Sequence, residues 1–418
     1  MLKVLIIGSG GREHALAWKL GQDKRIGKIY VAPGNAGTEQ LEKAENVNLT
    51  TVAELVKFAK DKEVGMTLVG SEALLVEGIV DAFRSERLNI FGPNKNAARL
   101  EGSKKFAKEF MQKYGVRTAA FASFDDAEKA LEYLKICPYP TVIKASGLAA
   151  GKGVVICQNQ TDAENTVRAM MNEKIFGEAG AEIVIEEFLT GFEVSVLTFC
   201  DGKTILPMKT AKDHKTIGEY NTGPNTGGMG SVCPHPTMTD EQYQDFLDNI
   251  SAPTLRGIQA ENLQFTGVIF FGLMVTERGV YLLEYNARFG DPETQSVLAL
   301  LETPLLTPIY ACLDGNLDTV KLEWKDEVAV CLVAASAGYP GPFQKGIPIY
   351  KIEQASFFSQ VFIAGAMRQD DEIHTSGGRV LNVVATGKDL SEARKTAYHA
   401  IDLIEFEGKT FRRDIGEV

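Results

Sequence analysis

No stretch of this 418-residue sequence runs apolar for the ~18 residues that a membrane-crossing helix requires, so no membrane partner is expected. Basic clusters are equally scarce. No run of five or six Lys or Arg occurs, and 44 basic residues face 55 acidic ones for a net charge of −11. A nucleic-acid groove needs a basic stripe, so that partner is not expected either. The six cysteines, Cys137, Cys157, Cys200, Cys233, Cys312 and Cys331, lie far apart with no CxxC pair. That spacing excludes a zinc knuckle or a disulfide framework and points to buried thiols in a reducing, cytoplasmic compartment. Repeats and low-complexity linkers are missing as well. The apolar opening, MLKVLIIG, is soon broken by Gly, Arg and Glu, and reads as a first core strand rather than a signal peptide.

What is present is ample core material: 44% hydrophobic and 24% charged residues, enough length for two to four domains. Over residues 1–101, strand-like KVLIIG, KIYVA and MTLVG alternate with helical patterns such as Leu55, Val56 and Ala59. Alternating β and α predicts a doubly wound parallel sheet with its ligand crevice at the carboxyl ends of the strands. A second unit begins near Gly102 with a helix carrying Phe106, Phe110 and Tyr114 on one face, stopped at Gly115. A compact α+β section then runs to about Gly191, with a helix predicted to open at the box Thr161…Glu164. Residues 192–325 are strand-rich, with a helix opened by Thr239…Gln242 and a hairpin turning at Glu277–Gly279. Residues 326–418 read as a last α/β unit.

Four clusters carry the chemistry. Gly8-Ser9-Gly10-Gly11 sits where a strand meets a helix, where free N–H groups and the helix dipole favour an anion. A dinucleotide fingerprint is disfavoured, because Glu13 replaces the third glycine and no acid ends the second strand. A phosphate-bearing substrate fits better. Lys144 ends a strand and is followed by a loop of small residues with Gly147, Gly151 and Gly153, the pattern of a hairpin lid over triphosphate oxygens. Glu186-Glu187 with Leu189 and Glu193 reads as an exposed strand edge that could pair with adenine and hold ribose hydroxyls. Finally, Glu284, Asn286 and Arg288 alternate along one strand, with Leu283 and Tyr285 expected behind them. Two oxygens beside a guanidinium suit Mg²⁺ and phosphate.

RFGDPETQ (288–295), Asp213-His214-Lys215 with GPNTGGMG (223–230), and GSGGREHA (8–15) together resemble the glycinamide ribonucleotide synthetase family of ATP-grasp ligases. PGNAGT (33–38), GYPGPFQKG (338–346) and GGRVLNV (377–383) extend the resemblance over essentially the whole chain. It implies an N-terminal substrate-binding domain (1–101), an ATP-grasp region (102–325, lid subdomain about 122–191) and a C-terminal domain (326–418). The implied reaction joins glycine to 5-phosphoribosylamine with ATP and Mg²⁺ (or Mn²⁺), through a glycyl phosphate, in purine biosynthesis. No obligate protein partner is evident.

By matching position, the resemblance assigns ATP phosphates to Lys144 and Lys104 (Lys105 being the alternative), and the nucleoside to Glu186, Glu187, Leu189 and Glu193. Metal falls to Glu284 and Asn286, and the reaction centre to Arg288, Asp291 and Lys215. The glycine and ribosylamine pocket falls to Asp213, His214, Asn225, Thr226, Gly227 and Met229, and the phosphoribosyl group to Gly10, Gly11, Asn35 and Glu72. Three departures stand out: no carboxylate in Phe271-Gly272-Leu273-Met274, Ser71 for the usual proline, and Thr216 for the usual arginine. The alternatives are a ligase for another acid and amine, a nicotinamide-dependent dehydrogenase, and a non-catalytic nucleotide-binding regulator.

Overall fold

Five parallel strands build the N-terminal unit: β1 (Leu2–Gly8), β2 (Ile26–Pro33), β3 (Ala44–Asn46), β4 (Met66–Val69) and β5 (Ile90–Phe91), in the order β3-β2-β1-β4-β5. Val4 to Ile7 are all buried, as expected of a central strand with both faces covered. The order reverses between β1 and β4, so the crevice opens where Gly8–Gly11 and Gly70–Glu72 leave the sheet. The structure is a computed structural model that describes residues 1–149 and 152–417; the expected lid residue Gly151 lies outside them.

The next sheet is antiparallel: β6 (Phe121–Phe124), β7 (Thr141–Ala145), β8 (Val154–Cys157) and β9 (Ile183–Glu187), in the order β6-β9-β7-β8. It has a core of its own, with Leu134, Ile143, Cys157, Val167, Met170 and Ile185 buried together. One expectation fails here. The helix Gln160–Val167 is capped by Asn159, whose side chain accepts from the Asp162 N–H at 3.0 Å, so Thr161 lies inside the first turn rather than opening it. Asn159 holds the extended backbone that a cap requires, two residues ahead of the expected box. The Thr239/Gln242 box, by contrast, forms as expected.

A four-stranded sheet made of Ile205–Pro207, Phe192–Cys200, Gly267–Thr276 and Gly279–Asn286 follows. In its last pair, Gly272 faces Glu284 and Leu273 faces Leu282, leaving Leu283 as the extra residue of a β-bulge. Leu283 is therefore only half-buried, contrary to expectation; Leu282 and Tyr285 are the buried residues behind the site.

The C-terminal sheet runs Lys212–Asp213, Gly230–Cys233, Val328–Ala335, Arg379–Gly387 and Gln360–Ile363 in space. Two of its strands come from before residue 326, so that boundary divides the chain but not the sheet. Those two strands carry Asp213 and lead out of Met229, which places the last unit against the site. No helix among the described residues is long and apolar enough to cross a membrane.

Candidate active site

Lys144 is the next-to-last residue of β7, and Glu186 lies near it on β9. The Lys144 Nζ stands 3.0 Å from Glu186 Oε2 and donates to the Leu283 carbonyl at 3.3 Å, a carbonyl that the bulge sets apart from the strand ladder. Lys104 opens the helix Lys104–Tyr114, its N–H donating to Ser146 O at 2.8 Å. Burial lowers its pKa, while Glu284 beside it opposes that effect. Lys105 is engaged elsewhere, at 2.6 Å from Glu182, so Lys104 is the one that joins the cluster. Gly147 and Gly153 are set by close packing: a Cβ on Gly147 would lie 2.7 Å from Ala179 Cα, and one on Gly153 2.8 Å from Ala149 Cβ.

Lys108, which sequence reasoning missed, completes a buried triad. Its Nζ lies 3.0 Å from the same Glu186 Oε2 and donates to Thr118 Oγ1 at 2.6 Å. Its helical spacing from Lys104 was visible in the sequence, but not its acid partner 78 residues away. Glu187 pairs with Arg278 at 2.6 Å, and Glu193 is 2.5 Å from Lys215. Leu189 follows the end of β9, and its N–H has no hydrogen-bond partner among the described residues.

Glu284 is the electrostatic centre. Burial works against its charge, but Lys215, Lys144, Lys104 and Arg288 together hold its carboxyl below the usual range. Gly272 opposite leaves it room, since a Cβ there would meet the Glu284 side chain at 3.2 Å. Asn286 follows two residues on, its Oδ1 accepting from Arg288 Nη2 at 3.3 Å. Among the described residues no cluster of three His, Cys, Asp or Glu could hold a metal, and the strand opposite adds no carboxylate. Two oxygens on an open edge fit a hard cation that draws the rest of its shell from phosphate and water.

Arg288 spreads its fork over 3.1 Å to Glu101, 3.5 Å to Glu72 and 3.1 Å to the Phe289 carbonyl. Asp291 accepts from Gln295 at 2.8 Å, and Arg379, arriving from the C-terminal sheet, lies 3.4 Å away. Burial opposes the Asp291 charge, but Arg379 and Arg12 outweigh it and keep the carboxyl low. Arg379 also donates to the Gly227 carbonyl at 2.6 Å. Neither Arg379 nor Arg12 was singled out from sequence, because each reaches the centre across a domain boundary.

At the first glycine cluster the geometry differs from a simple anion cradle. The Gly10 N–H donates to Glu13 Oε2 at 2.6 Å, and a Cβ on Gly11 would strike Asn382 of the C-terminal sheet. Asn35 spends its amide on Ser9, Gly10 and Ile363 carbonyls and its oxygen on the Gly37 and Thr38 N–H groups, so it ties two units together. Glu72, still half-exposed, faces Arg288.

Asp213 and Lys215 share one side of their segment. Burial raises the Asp213 carboxyl well above its ordinary value, Glu293 reinforces this, and its Oδ1 has no hydrogen-bond partner among the described residues. Gly228 (φ +107°) lies against it; a Cβ there would sit 2.7 Å from that oxygen. His214 turns the other way, its Nδ1 3.4 Å from Arg412, and is held neutral by burial and by that guanidinium. Arg412 also donates to Thr216 Oγ1 at 3.0 Å, so an arginine does reach this departure, from the distant C-terminal segment. Thr226 N–H and hydroxyl both donate to Lys215 O at 2.7 Å, Gly227 N–H donates to Tyr339 at 3.0 Å, Met229 is buried, and Asn225 is exposed on a small hairpin.

Family models for the N domain, the ATP-grasp (A) domain and the C domain of phosphoribosylglycinamide synthetase match residues 2–101, 102–294 and 329–418. Relatives named phosphoribosylamine–glycine ligase include one from Clostridium acetobutylicum, 52% identical and covering 100% of both chains. Another, from Fusobacterium nucleatum, is 51% identical over 99% of this chain and 98% of its own. The crystal structure of the Thermotoga maritima phosphoribosylamine–glycine ligase superposes with a TM-score of 0.85 at 36% identity, covering 99% of this chain and 100% of that one. With all three family models matched in order, the chain belongs to the phosphoribosylglycinamide synthetase family.

Proposed function

We propose that this protein is a ligase that uses ATP to join glycine to 5-phosphoribosylamine, giving glycinamide ribonucleotide, ADP and phosphate in purine biosynthesis, and that it works in the cytoplasm. The observation that carries the reading is the convergence of Lys104, Lys144, Lys215 and Arg288 on the half-buried Glu284, whose carboxyl they hold low. Such a cluster suits a polyphosphate beside a carboxylate. A carboxylate is a poor electrophile. Passing the γ-phosphoryl of ATP to a glycine oxygen makes glycyl phosphate, whose phosphate then leaves as the amine forms the C–N bond. No enzyme nucleophile is needed; the protein positions reactants and neutralises charge.

Within this reading, Lys104 and Lys144 bind phosphate oxygens under the lid. The free Glu186 oxygen and the backbone of Glu187 and Leu189 take adenine, and Glu193 takes ribose hydroxyls. Glu284 and Asn286 would hold Mg²⁺ (or Mn²⁺), which would supply charge neutralisation on the transferring phosphoryl group. Arg288 and Lys215 orient the carboxylate being activated, and the ionised Asp291 accepts the proton that the attacking amine loses. Asp213 and the 225–229 loop close the glycine pocket, while Glu72 and the Gly10–Gly11 turn face the phosphoribosyl group. The test is ADP release: it must require both glycine and phosphoribosylamine. Release independent of glycine contradicts the proposal, and ATP binding without turnover makes the protein a regulator instead.

A further inference from the structure

Lys108 is among the largest fully buried side chains, 2% exposed, on the inner face of the helix Lys104–Tyr114. A buried ammonium requires a partner, and Lys108 has two: Glu186 Oε2 at 3.0 Å and Thr118 Oγ1 at 2.6 Å. Thr118 in turn donates to the Leu282 carbonyl at 2.6 Å, just before the bulge. Lys144 reaches the same Glu186 oxygen, also at 3.0 Å. Two ammonium groups therefore share one carboxylate oxygen, while the other, Oε1, is buried with no hydrogen-bond partner among the described residues.

Leaving a buried carboxylate oxygen unsatisfied is costly unless a ligand donor meets it. Burial opposes the Glu186 charge, and Lys108 is the first of the two lysines that outweigh it. Lys144 also donates to the Leu283 carbonyl. Lys108 is buried, and its polar partners among the described residues are this carboxylate and its threonine. An ionised carboxylate accepts and cannot donate. The unpartnered oxygen thus asks for an N–H on the base, which the 6-amino group of adenine has and the 6-oxo group of guanine lacks.

We infer that Lys108 is a positioning residue for nucleotide selection: it clamps one oxygen of Glu186 so that the other is presented, ionised and correctly aimed, to the amino group of an adenine base. This rests on the reading that Glu186 meets the base, and the two can fail separately.

The experiment measures the KM for ATP, kcat, and the preference for ATP over GTP in Lys108→Met and Glu186→Gln. Loss of one charge-assisted hydrogen bond predicts that Lys108→Met raises the KM for ATP about tenfold or more and lowers the ATP preference similarly, with kcat at saturation within about twofold. Lys108→Arg, which keeps the charge, is expected to restore most of the preference. An unchanged KM and preference in a folded Lys108→Met protein, or a loss confined to kcat, overturns the inference. Should Lys108→Met fail to fold, Thr118→Val removes the second tether of Lys108. A KM rise of about threefold with kcat kept then supports the inference, and an unchanged KM overturns it. If Glu186→Gln leaves both KM and preference intact, the reading of the base contact itself is wrong; if Glu186→Gln alone shifts them, only the role of Lys108 falls.

Discussion

Replacing Glu284 with glutamine removes one negative charge and almost no volume. The site around it holds Lys215, Lys144, Lys104 and Arg288, and all four favour the charge of the half-buried Glu284. In Glu284→Gln those four cations surround a neutral amide, and the open metal edge keeps only neutral oxygens from residues 284 and 286. Removing one preorganised electrostatic group from a water-poor site typically costs about 2.7–4 kcal/mol of transition-state stabilisation, or 10²–10³ in rate. The expected result is a fall in kcat/KM of at least that size, with a higher Mg²⁺ concentration needed for half-maximal rate. Circular dichroism and chemical unfolding should show a folded protein, because the bulged strand and the buried Leu282 and Tyr285 behind it are untouched. ADP release measured against Mg²⁺ concentration is the assay. Turnover within about threefold of the parent at equal Mg²⁺ would refute the assignment of Glu284 to the metal.

In Arg288→Lys the charge stays but the fork over Glu101, Glu72 and Asn286 is lost, so kcat should fall by about 10² while the KM for ATP changes little; steady-state kinetics checks both. Acid should unfold the protein through its buried histidines. Burial lowers the pKa of His14 from 6.5 to about 4, and that of His235 likewise to about 4. The unfolded chain binds these protons first, so the stability they contribute is full above pH 6.5 and is lost as pH falls towards 4, by up to about 1.4 kcal/mol per histidine per pH unit. Urea midpoints between pH 7 and 4 read this out, and a flat profile over that range contradicts it.

The alternation of strands and helices made the N-terminal sheet legible, and the spacing of Glu284, Asn286 and Arg288 made the acidic edge legible, because both are local patterns. The bulge at Leu283 was not, since an extra residue breaks the period of two without marking itself in composition. The Asn159 cap was hidden by a competing Thr161…Glu164 pattern two residues later, and only backbone geometry decides between them. Lys108, Arg12, Arg379 and Arg412 were invisible for a different reason: each earns its place through a partner far off in sequence, such as Glu186, Gly70, Gly227 or His214. Asn35 was visible as polar in a glycine turn, but its tie to Ile363 depends on how two units meet.

The central claim, that phosphate passes to the acid's own oxygen inside this cleft, is tested most directly with glycine labelled in its carboxylate with ¹⁸O. During turnover with ATP and phosphoribosylamine, mass analysis of the released phosphate should find one labelled oxygen in each molecule. Phosphate released without label, while the amide bond still forms, would contradict it.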